Sequence, residues 1–340
     1  MKVSRVKMFL RGKIFQLLCL IAIVLVIAAI FEPKMFSGPN IRQIMSNITI
    51  TAVFVCGVAP LLMSGGIDFS GSAFGVCSSI FFARLLQLLP GLPWYVILFP
   101  ALIFGALLGL LNSFFIVKLN LVAFIATMAM ATVFNGLGKW YVASVPIPIA
   151  VRSFNSLSGV FFLNVIPLFF VVMLVMIAIY SLLLIKTSFG RSVIMCGGNA
   201  AAARLAGLNP NRIRTILYVN SGFVAAIGGI MQASQTRVAN PDAFIFTAPH
   251  MSAFIATILG GVSFFGGSGS LGGAVLGVAL MQILSYSLTT IGVPTWSTAL
   301  INGMLLIVAL TVDDVTRRIR FRRLGIKAGG SDMVMPGMSK

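Results

Sequence analysis

Charged residues are scarce in this chain of 340 residues, and acidic residues are the scarcest. Lysine, arginine, aspartate and glutamate together make up 9% of the residues, and only six residues are acidic. A soluble globular protein of ordinary composition has roughly 25% charged residues. So little charge cannot cover the surface of a soluble protein of this size, which excludes that class.

Histidine and cysteine are also rare, with His250 as the single histidine and four cysteines. No CxxC pair or histidine–cysteine cluster occurs, so no metal site is expected. Cys19, Cys56 and Cys77 lie in apolar runs and Cys196 lies in a polar stretch, so we expect small packed side chains rather than disulfides. Paired carboxylates and a nucleophile beside a base are also missing, and a membrane enzyme is therefore the least favoured class.

The chain is rich in long apolar stretches. It is 59% hydrophobic with a mean hydropathy of +1.07, and apolar stretches of about 20 residues recur along it. We therefore predict an all-α polytopic membrane protein with about ten transmembrane helices, some of them interrupted by Gly-rich segments. A single transmembrane domain is assigned to residues 1–312 and a basic cytoplasmic tail to residues 313–340. The predicted spans are 14–31, 44–63, 71–89, 94–117, 121–138, 161–185, 214–234, 250–265, 271–290 and 295–312.

The basic residues are unevenly distributed along the chain. If ten spans leave both termini in the cytoplasm, 18 of the 24 lysines and arginines lie on the cytoplasmic side. This positive-inside bias accounts for the net charge of +18 without a nucleic-acid partner. The basic segment 317–327 after the last span indicates contact with anionic membrane lipids.

One polar stretch, residues 188–210, lies between two long apolar runs. Within it Asn199 is a favourable N-cap, residues 200–205 are strong helix formers, and Gly207 ends the run. A helix of about two turns outside the membrane is therefore predicted. Its alanine side chains would let another surface approach closely, and nearby arginines can pair with carboxylates or lipid phosphates. A plain connecting helix is the alternative.

The segment Ser64-Gly65-Gly66-Ile67-Asp68 interrupts the apolar pattern between the second and third spans. An acid at membrane depth costs about 2.5 to 3.5 kcal/mol unless it is paired or hydrated. Asp68 therefore either lines a polar pathway or pins a helix end as the N-cap of the third span.

A second Gly-rich interruption covers residues 260–273, and Gly228-Gly229 marks another position for close helix packing. Residues 260–273 are compatible with a re-entrant turn. The GxxxxGK[ST] pattern of a phosphate-binding loop is absent from the chain, so none of these glycines is assigned to a nucleotide.

Three of these segments resemble motifs of the permease subunits of ATP-binding-cassette sugar importers of the ribose, xylose and galactose type. The polar loop has the pattern GRxxxxxGGNxxAAxxxG, segment 64–68 matches a second motif, and the glycines from residue 260 onwards match a third. The resemblance covers about residues 40–312. The residues of the loop pattern are Gly190, Arg191, Gly197, Gly198, Asn199, Ala202, Ala203 and Gly207.

The resemblance implies a chain that is not itself an enzyme and binds no cofactor. It implies an ATPase subunit, a periplasmic solute-binding protein and a second permease copy or paralogue as partners in a bacterial inner membrane. The helix after Asn199 would then be the coupling helix that the ATPase receives. The candidate residues of the translocation pathway are Ser64, Gly65, Gly66, Asp68, His250, Ser252, Gly260 and Gly261.

The chain departs from the family pattern at two places. Phe69-Ser70-Gly71-Ser72 replaces the usual Leu-Ser-Val-Gly, and His250 and Ser252 replace a frequent glutamate and aspartate. The leading expectation is a permease for a monosaccharide or related polar solute, with nucleosides or branched-chain amino acids as alternative cargo. A secondary transporter with Asp68 as its ion-coupling group is a further alternative, and it requires two inverted halves.

Overall fold

A computed structural model describes residues 13–162, 166–242 and 249–323, and these are almost entirely helical. The first five α-helices are α1 Lys13–Phe31, α2 Gly38–Met63, α3 Gly71–Leu88, α4 Trp94–Ser113 and α5 Ala123–Tyr141. The next five are α6 Arg152–Asn155, α7 Leu168–Lys186, α8 Ser188–Gly198, α9 Ala200–Leu205 and α10 Pro210–Thr236. The last three are α11 Pro249–Leu259, α12 Leu271–Thr290 and α13 Thr295–Arg323. Short 3-10 helices cover Pro33–Phe36 and Ser156–Gly159, and a π-helical turn covers Phe114–Lys118.

Each of the ten predicted spans overlaps one of these helices. Among the described residues, seven helices are long and apolar enough to cross a membrane, namely α1, α2, α3, α4 with its π-helical turn, α7, α10 and α12. The shorter α11 has 11 residues, and α5 contains the polar residues Asn135 and Lys139. The all-α polytopic membrane fold is thus confirmed, whereas the count of ten spans stays a prediction.

Some predicted boundaries are wrong for identifiable reasons. The sixth span begins at Leu168 instead of 161, because Phe161–Phe162 (β2) pairs antiparallel with Ile166–Pro167 (β3) ahead of the helix. The eighth ends at Leu259 instead of 265, where Gly261 turns the chain with φ +92°. The domain boundary predicted between residues 312 and 313 stays a prediction: helix α13 continues across it to Arg323, and residues 324–340 of the tail lie outside the described residues.

Helix α10 is the centre of the bundle and packs most extensively against α4, α3 and α2. Its Gly229 lies so close to α3 that a Cβ atom there would overlap the Gly75 carbonyl oxygen. This contact confirms the close packing predicted at Gly228-Gly229, since small residues let transmembrane helix backbones approach.

Three of the four cysteines occupy packed positions, as predicted. Cys56, Cys77 and Cys196 are buried, whereas Cys19 is exposed on α1. The prediction of a core position is wrong for Cys19, because α1 is an outer helix whose main helical neighbour is α12. The apolar outward face of α1 is typical of a lipid-facing surface.

Two short strands mark one end of the bundle. Ile147–Pro148 (β1) pairs antiparallel with Val238–Ala239 (β4), with Ile147 opposite Ala239. Strand β4 follows the last turn of α10, whereas α9 precedes its first turn. Because α10 has 27 residues, these two ends are about 40 Å apart. The strand pair and the short helix α9 therefore lie at opposite ends of the central helix.

Candidate functional site

The short helix α9 has the caps that the sequence predicts. The side-chain oxygen of Asn199 accepts a hydrogen bond from the Ala202 backbone N–H at 3.0 Å, which confirms the N-cap. At the other end Gly207 has φ +81° and donates to Arg204 O, while Leu208 N–H donates to Ala203 O. These two bonds form a Schellman motif, so α9 has a fixed beginning and a fixed end.

The two faces of α9 differ in exposure. Ala203 is buried against the bundle with 1% of its surface exposed, whereas Leu205 is 92% exposed. Ala202 is also exposed, so of the two alanines of the loop pattern only Ala202 is accessible to another protein. Sequence reasoning missed Leu205, although it is the one large apolar side chain in a run of alanines. The exposed apolar tip makes α9 a candidate docking element.

Helix α8, which precedes α9, was not predicted. Thr187 caps it by accepting a hydrogen bond from the Gly190 backbone N–H at 3.3 Å. Gly190 packs on the end of α7, where a Cβ atom would overlap the Leu184 carbonyl oxygen. The neighbouring Arg191 is exposed. Gly190 therefore has a packing role, and Arg191 remains free to meet a charged surface.

Cys196 lies on the buried face of α8. Burial raises the pKa of its thiol above the ordinary value, and the nearby Arg214 opposes part of that shift. A raised pKa keeps the sulfur protonated at neutral pH, and the thiol is a poor nucleophile in that form. We assign Cys196 a packing role.

Three glycine-rich segments that are far apart in the sequence meet at one point, which we call the glycine junction. A Cβ atom on Gly197 would overlap the Met63 carbonyl oxygen at the end of α2 and would lie 2.6 Å from Gly267 N. The same Met63 oxygen accepts a hydrogen bond from Gly267 N at 2.9 Å. The residues of the glycine junction are Gly65, Gly197, Gly198, Gly266 and Gly267.

The glycine junction connects the loop pattern to the predicted pathway residues. At this junction the end of α8, immediately before α9, is in direct backbone contact with the end of α2 and with the loop between α11 and α12. Because these three backbones touch, a displacement of one of them must displace or break contact with the other two. The geometry can therefore carry motion from α9 into the bundle.

Asp68 lies in a buried polar cluster that joins three helices. One carboxylate oxygen accepts from the Ser70 backbone N–H at 2.8 Å and the Ser70 hydroxyl at 2.5 Å, and the other accepts from the Ser221 hydroxyl at 2.6 Å. Asn112 donates its amide to Ser70 Oγ at 2.6 Å and to the carboxylate at 3.3 Å. We call Asp68, Ser70, Asn112 and Ser221 the Asp68 cluster. It joins α4 and α10 to the start of α3.

The prediction that Asp68 is the N-cap of the third span is wrong in position. Helix α3 begins at Gly71, and its N-cap is Ser70. Asp68 instead holds the turn before the helix and accepts hydrogen bonds from residues on other helices. Asn112 and Ser221 were missed, and the available signal was a polar side chain inside a long apolar run.

The remaining pathway candidates occupy separate positions around the glycine junction and the Asp68 cluster. Ser64 is buried and donates to Leu61 O at 2.7 Å, beside the glycine junction. His250 is buried with its ring against Gly71 and edge-on to Phe54, and among the described residues its Nε2 atom has no hydrogen-bond partner. Ser252 is half-buried on α11.

The other glycines of the pathway set, Gly66, Gly260 and Gly261, lie at backbone turns. Gly66 is buried against Leu61, and a Cβ atom on Gly260 would overlap the Gly273 carbonyl oxygen on α12. The structure thus brings Ser64 and Gly65 to the glycine junction and Asp68 and His250 to the start of α3. It does not gather the whole predicted set into one site.

Replacing Asp68 with leucine is expected to lower the stability of the chain more than replacing it with asparagine. Leucine leaves buried donors without an acceptor, at about 1 to 3 kcal/mol for each donor that finds no other partner. Asparagine keeps one oxygen for Ser70, and the Ser221 hydroxyl can accept from its amide. Thermal unfolding of the purified variants in detergent measures the difference. An asparagine variant as unstable as the leucine variant would show that the charge itself is required.

A helical membrane bundle with a capped accessory helix at one end and a buried carboxylate in a broken segment fits the class of membrane transport proteins. Within that class, the chain belongs to the family described as branched-chain amino acid transport system / permease component, whose model matches residues 40–310. It is accordingly a permease component of a transport system. No solved structure matches the chain.

Named relatives cover most of the chain. The galactose/methyl galactoside import permease protein MglC of Haemophilus influenzae is 29% identical over 88% of this chain and 93% of its own length. The ribose import permease protein RbsC of the same organism is 27% identical over 86% of this chain and 90% of its own length. The probable ABC transporter permease protein YphD of Escherichia coli is 30% identical over 86% and 87%. The resemblance to permeases of sugar importers is confirmed.

Proposed function

We propose that this chain is the translocation subunit of an ATP-binding-cassette importer for a monosaccharide or a related polar solute in a bacterial inner membrane. A separate subunit hydrolyses ATP, a periplasmic binding protein delivers the solute, and a second permease copy or a paralogue completes the pathway. The cargo proposal is supported by the relatives, whose names specify galactose, methyl galactoside and ribose.

The exposed tip of α9 is the observation that carries the proposal. Leu205 is 92% exposed at the end of a helix whose beginning and end are both fixed by caps. Burying a leucine side chain in a groove of a partner stabilises a complex by about 1.5 to 3 kcal/mol. The exposed Ala202 lets that partner approach the helix backbone, so we assign α9 the role of the coupling helix.

The glycine junction then carries the motion of the coupling helix into the membrane. When an ATPase displaces α9, the end of α8 moves with it and pushes on the end of α2 and on the loop that follows α11. Ser64, Gly65, Gly66, Gly260 and Gly261 belong to these moving segments. The Asp68 cluster, with His250 beside it, holds the start of α3 against α4 and α10 as a fixed point.

The positions of the basic residues support ten spans with both termini in the cytoplasm. Arg42 lies over the Phe161 ring, Arg84 lies over the Tyr141 ring, and Lys139 forms a 2.6 Å ion pair with Asp242. These contacts lie at the end of the bundle that carries the β1–β4 pair, which we assign to the periplasm. The more basic end, with α9, is then the cytoplasmic end, as the positive-inside rule requires.

A reporter fused after Lys186 is expected to report a cytoplasmic position, because Lys186 ends α7 at the α9 end of the bundle. A second fusion after Lys327, in the tail outside the described residues, is expected to give the same result. Paired alkaline phosphatase and fluorescent-protein fusions measure both. A periplasmic signal from either fusion would contradict the ten-span topology.

Branched-chain amino acids are the rival cargo that an observation favours, because the family description names them. Import of sugars and import of branched-chain amino acids would use the same ATP-driven machinery. Nucleosides are a further alternative cargo for that machinery. A secondary transporter is disfavoured because Asp68, its required ion-coupling group, already accepts hydrogen bonds from Ser70, Asn112 and Ser221.

Reconstitution of the permease with its cognate ATPase and binding protein in liposomes tests the proposed function. We expect ATP-dependent uptake of radiolabelled D-galactose or D-ribose. Uptake of L-leucine or adenosine in place of both sugars would overturn the cargo assignment. Sugar uptake driven by an ion gradient without the ATPase would overturn the assignment to an ATP-driven importer.

A further inference from the structure

A pocket of about 460 Å³ opens at the end of the bundle opposite to α9. It lies between α3, the last two turns of α10 and the β1–β4 pair. Pockets that hold small molecules in proteins have volumes of about 300 to 1,000 Å³. Its lining includes Ser79, Gly229, Gln232, Thr236 and Asn240.

The polar groups of the pocket offer both donors and acceptors to a ligand. The half-buried Gln232 has a side-chain amide that no hydrogen bond joins to the described part of the chain. Asn240 uses its oxygen to accept from Asp242 N–H at 2.9 Å, which leaves its NH₂ group free to donate. The Ser79 hydroxyl donates to Val76 O at 2.8 Å and can still accept.

The pocket lining contains no ionisable side chain among the described residues. The ionisable residues nearest to the lining residues in the chain are Arg237, between Thr236 and Val238, and Asp242, which forms an ion pair with Lys139. The lining itself therefore offers no counter-charge to the two charges of a zwitterionic amino acid. Neutral hydroxyl groups, in contrast, donate and accept in the way that this lining requires.

The inner wall of the pocket is a closed helix contact. Gly229 on α10 packs on the Gly75 carbonyl of α3, and Ser221 of the Asp68 cluster lies eight residues earlier on α10. Eight residues correspond to about 12 Å along a helix. The pocket and the Asp68 cluster are therefore separate, with the Gly75–Gly229 contact between them.

We propose that this outer pocket is the binding site where the permease first holds its solute, and that the ligand is a neutral polyhydroxylated molecule of monosaccharide size. Gln232 is its main hydrogen-bonding partner, with Asn240 and Thr236 beside it. This inference rests on the proposed import function and adds to it a position and a ligand class.

The test compares uptake of radiolabelled D-galactose and D-ribose by the reconstituted complete transporter carrying wild-type permease, Gln232→Leu or Gln235→Leu. Gln235 is the matched control, because it lies on the same turn of α10 and does not line the pocket. Loss of one neutral hydrogen bond is expected to lower sugar uptake about three- to tenfold in Gln232→Leu. Gln235→Leu is expected to transport at the wild-type rate.

The permease level in the membrane and the amount of bound ATPase are measured for each variant and are expected to stay unchanged. Wild-type uptake by Gln232→Leu, or an equal loss in Gln235→Leu, would overturn the pocket assignment and leave the import function standing. A wild-type transporter that moves neither sugar would overturn the import function and the ligand class together. If Gln232→Leu does not reach the membrane, Thr236→Val decides in the same assay, again with a lower uptake expected.

Discussion

Replacing Gly197 with alanine is expected to abolish coupled uptake, with a fall of at least about tenfold. The new Cβ atom would overlap the Met63 carbonyl oxygen and would lie 2.6 Å from Gly267 N. These are backbone atoms joined by a hydrogen bond, so no side chain can rotate away to make room. Overpacking of this kind costs roughly 1 to 3 kcal/mol or more, and the glycine junction must open to accept it.

Gly198 provides the matched control for this change. It is the next residue in the chain, and a Cβ atom there would lie 3.8 Å from the nearest atom, Gly267 Cα, which is ordinary contact. Gly198→Ala is therefore expected to transport like the wild type. Both variants are compared for sugar uptake and for ATP hydrolysis in liposomes. Wild-type uptake by Gly197→Ala would show that the glycine junction does not transmit motion.

Replacing Leu205 with alanine is expected to weaken assembly with the ATPase about tenfold or more while the permease itself stays intact. The leucine side chain is 92% exposed, so the folded permease loses almost no packing when it is truncated. Burial of a leucine side chain in a partner contributes about 1.5 to 3 kcal/mol of binding free energy, and each 1.4 kcal/mol changes the affinity tenfold. Leu205→Met preserves the apolar bulk and is expected to retain uptake.

Two further variants, one in α9 and one just after its last residue, are expected to disturb the same contact with the ATPase. Ala202→Trp places bulk on the exposed face where the partner must approach. Gly207→Leu forces a non-glycine residue into a backbone conformation with φ +81°, which distorts the end of the helix. Apart from the two chain neighbours, no described residue has an atom within 4 Å of a Cβ atom on Gly207, so the strain is confined to the backbone. Normal expression with lost uptake is expected for both variants, and the measurements are immunoblots of membranes and sugar uptake.

The parts of the fold that depend on local chemistry could be predicted from the sequence. Helix α9 was predicted because Asn199, a run of alanines and Gly207 act within a few residues of one another. The apolar segments were likewise predicted from residues that are close together in the sequence. The sequence could not show which alanine of α9 faces the bundle, because Ala202 and Ala203 have the same side chain. Only the fold buries Ala203 and leaves Ala202 exposed.

The parts that depend on distant contacts could not be read from one sequence. Gly65, Gly197 and Gly267 are separated by long stretches of chain, and only the packing of α2, α8 and the loop after α11 brings them together. The pairing of β2 with β3 was missed, because Phe161 and Phe162 are as apolar as the helix that follows them. Asp68 was singled out by its charge, whereas its partners Asn112 and Ser221 are defined by three-dimensional contacts.

Site-specific photo-crosslinking tests the central claim, that α9 couples the permease to an ATPase, most directly. A photoreactive amino acid replaces Leu205 in one variant and Trp140, which is 78% exposed near the opposite end of the bundle, in a second. Both variants are irradiated in membranes that contain the complete transporter, and ATPase adducts are detected on immunoblots. We expect an adduct from position 205 and none from position 140. Absence of an adduct at position 205, or equal adducts at both positions, would contradict the assignment of α9 as the coupling helix.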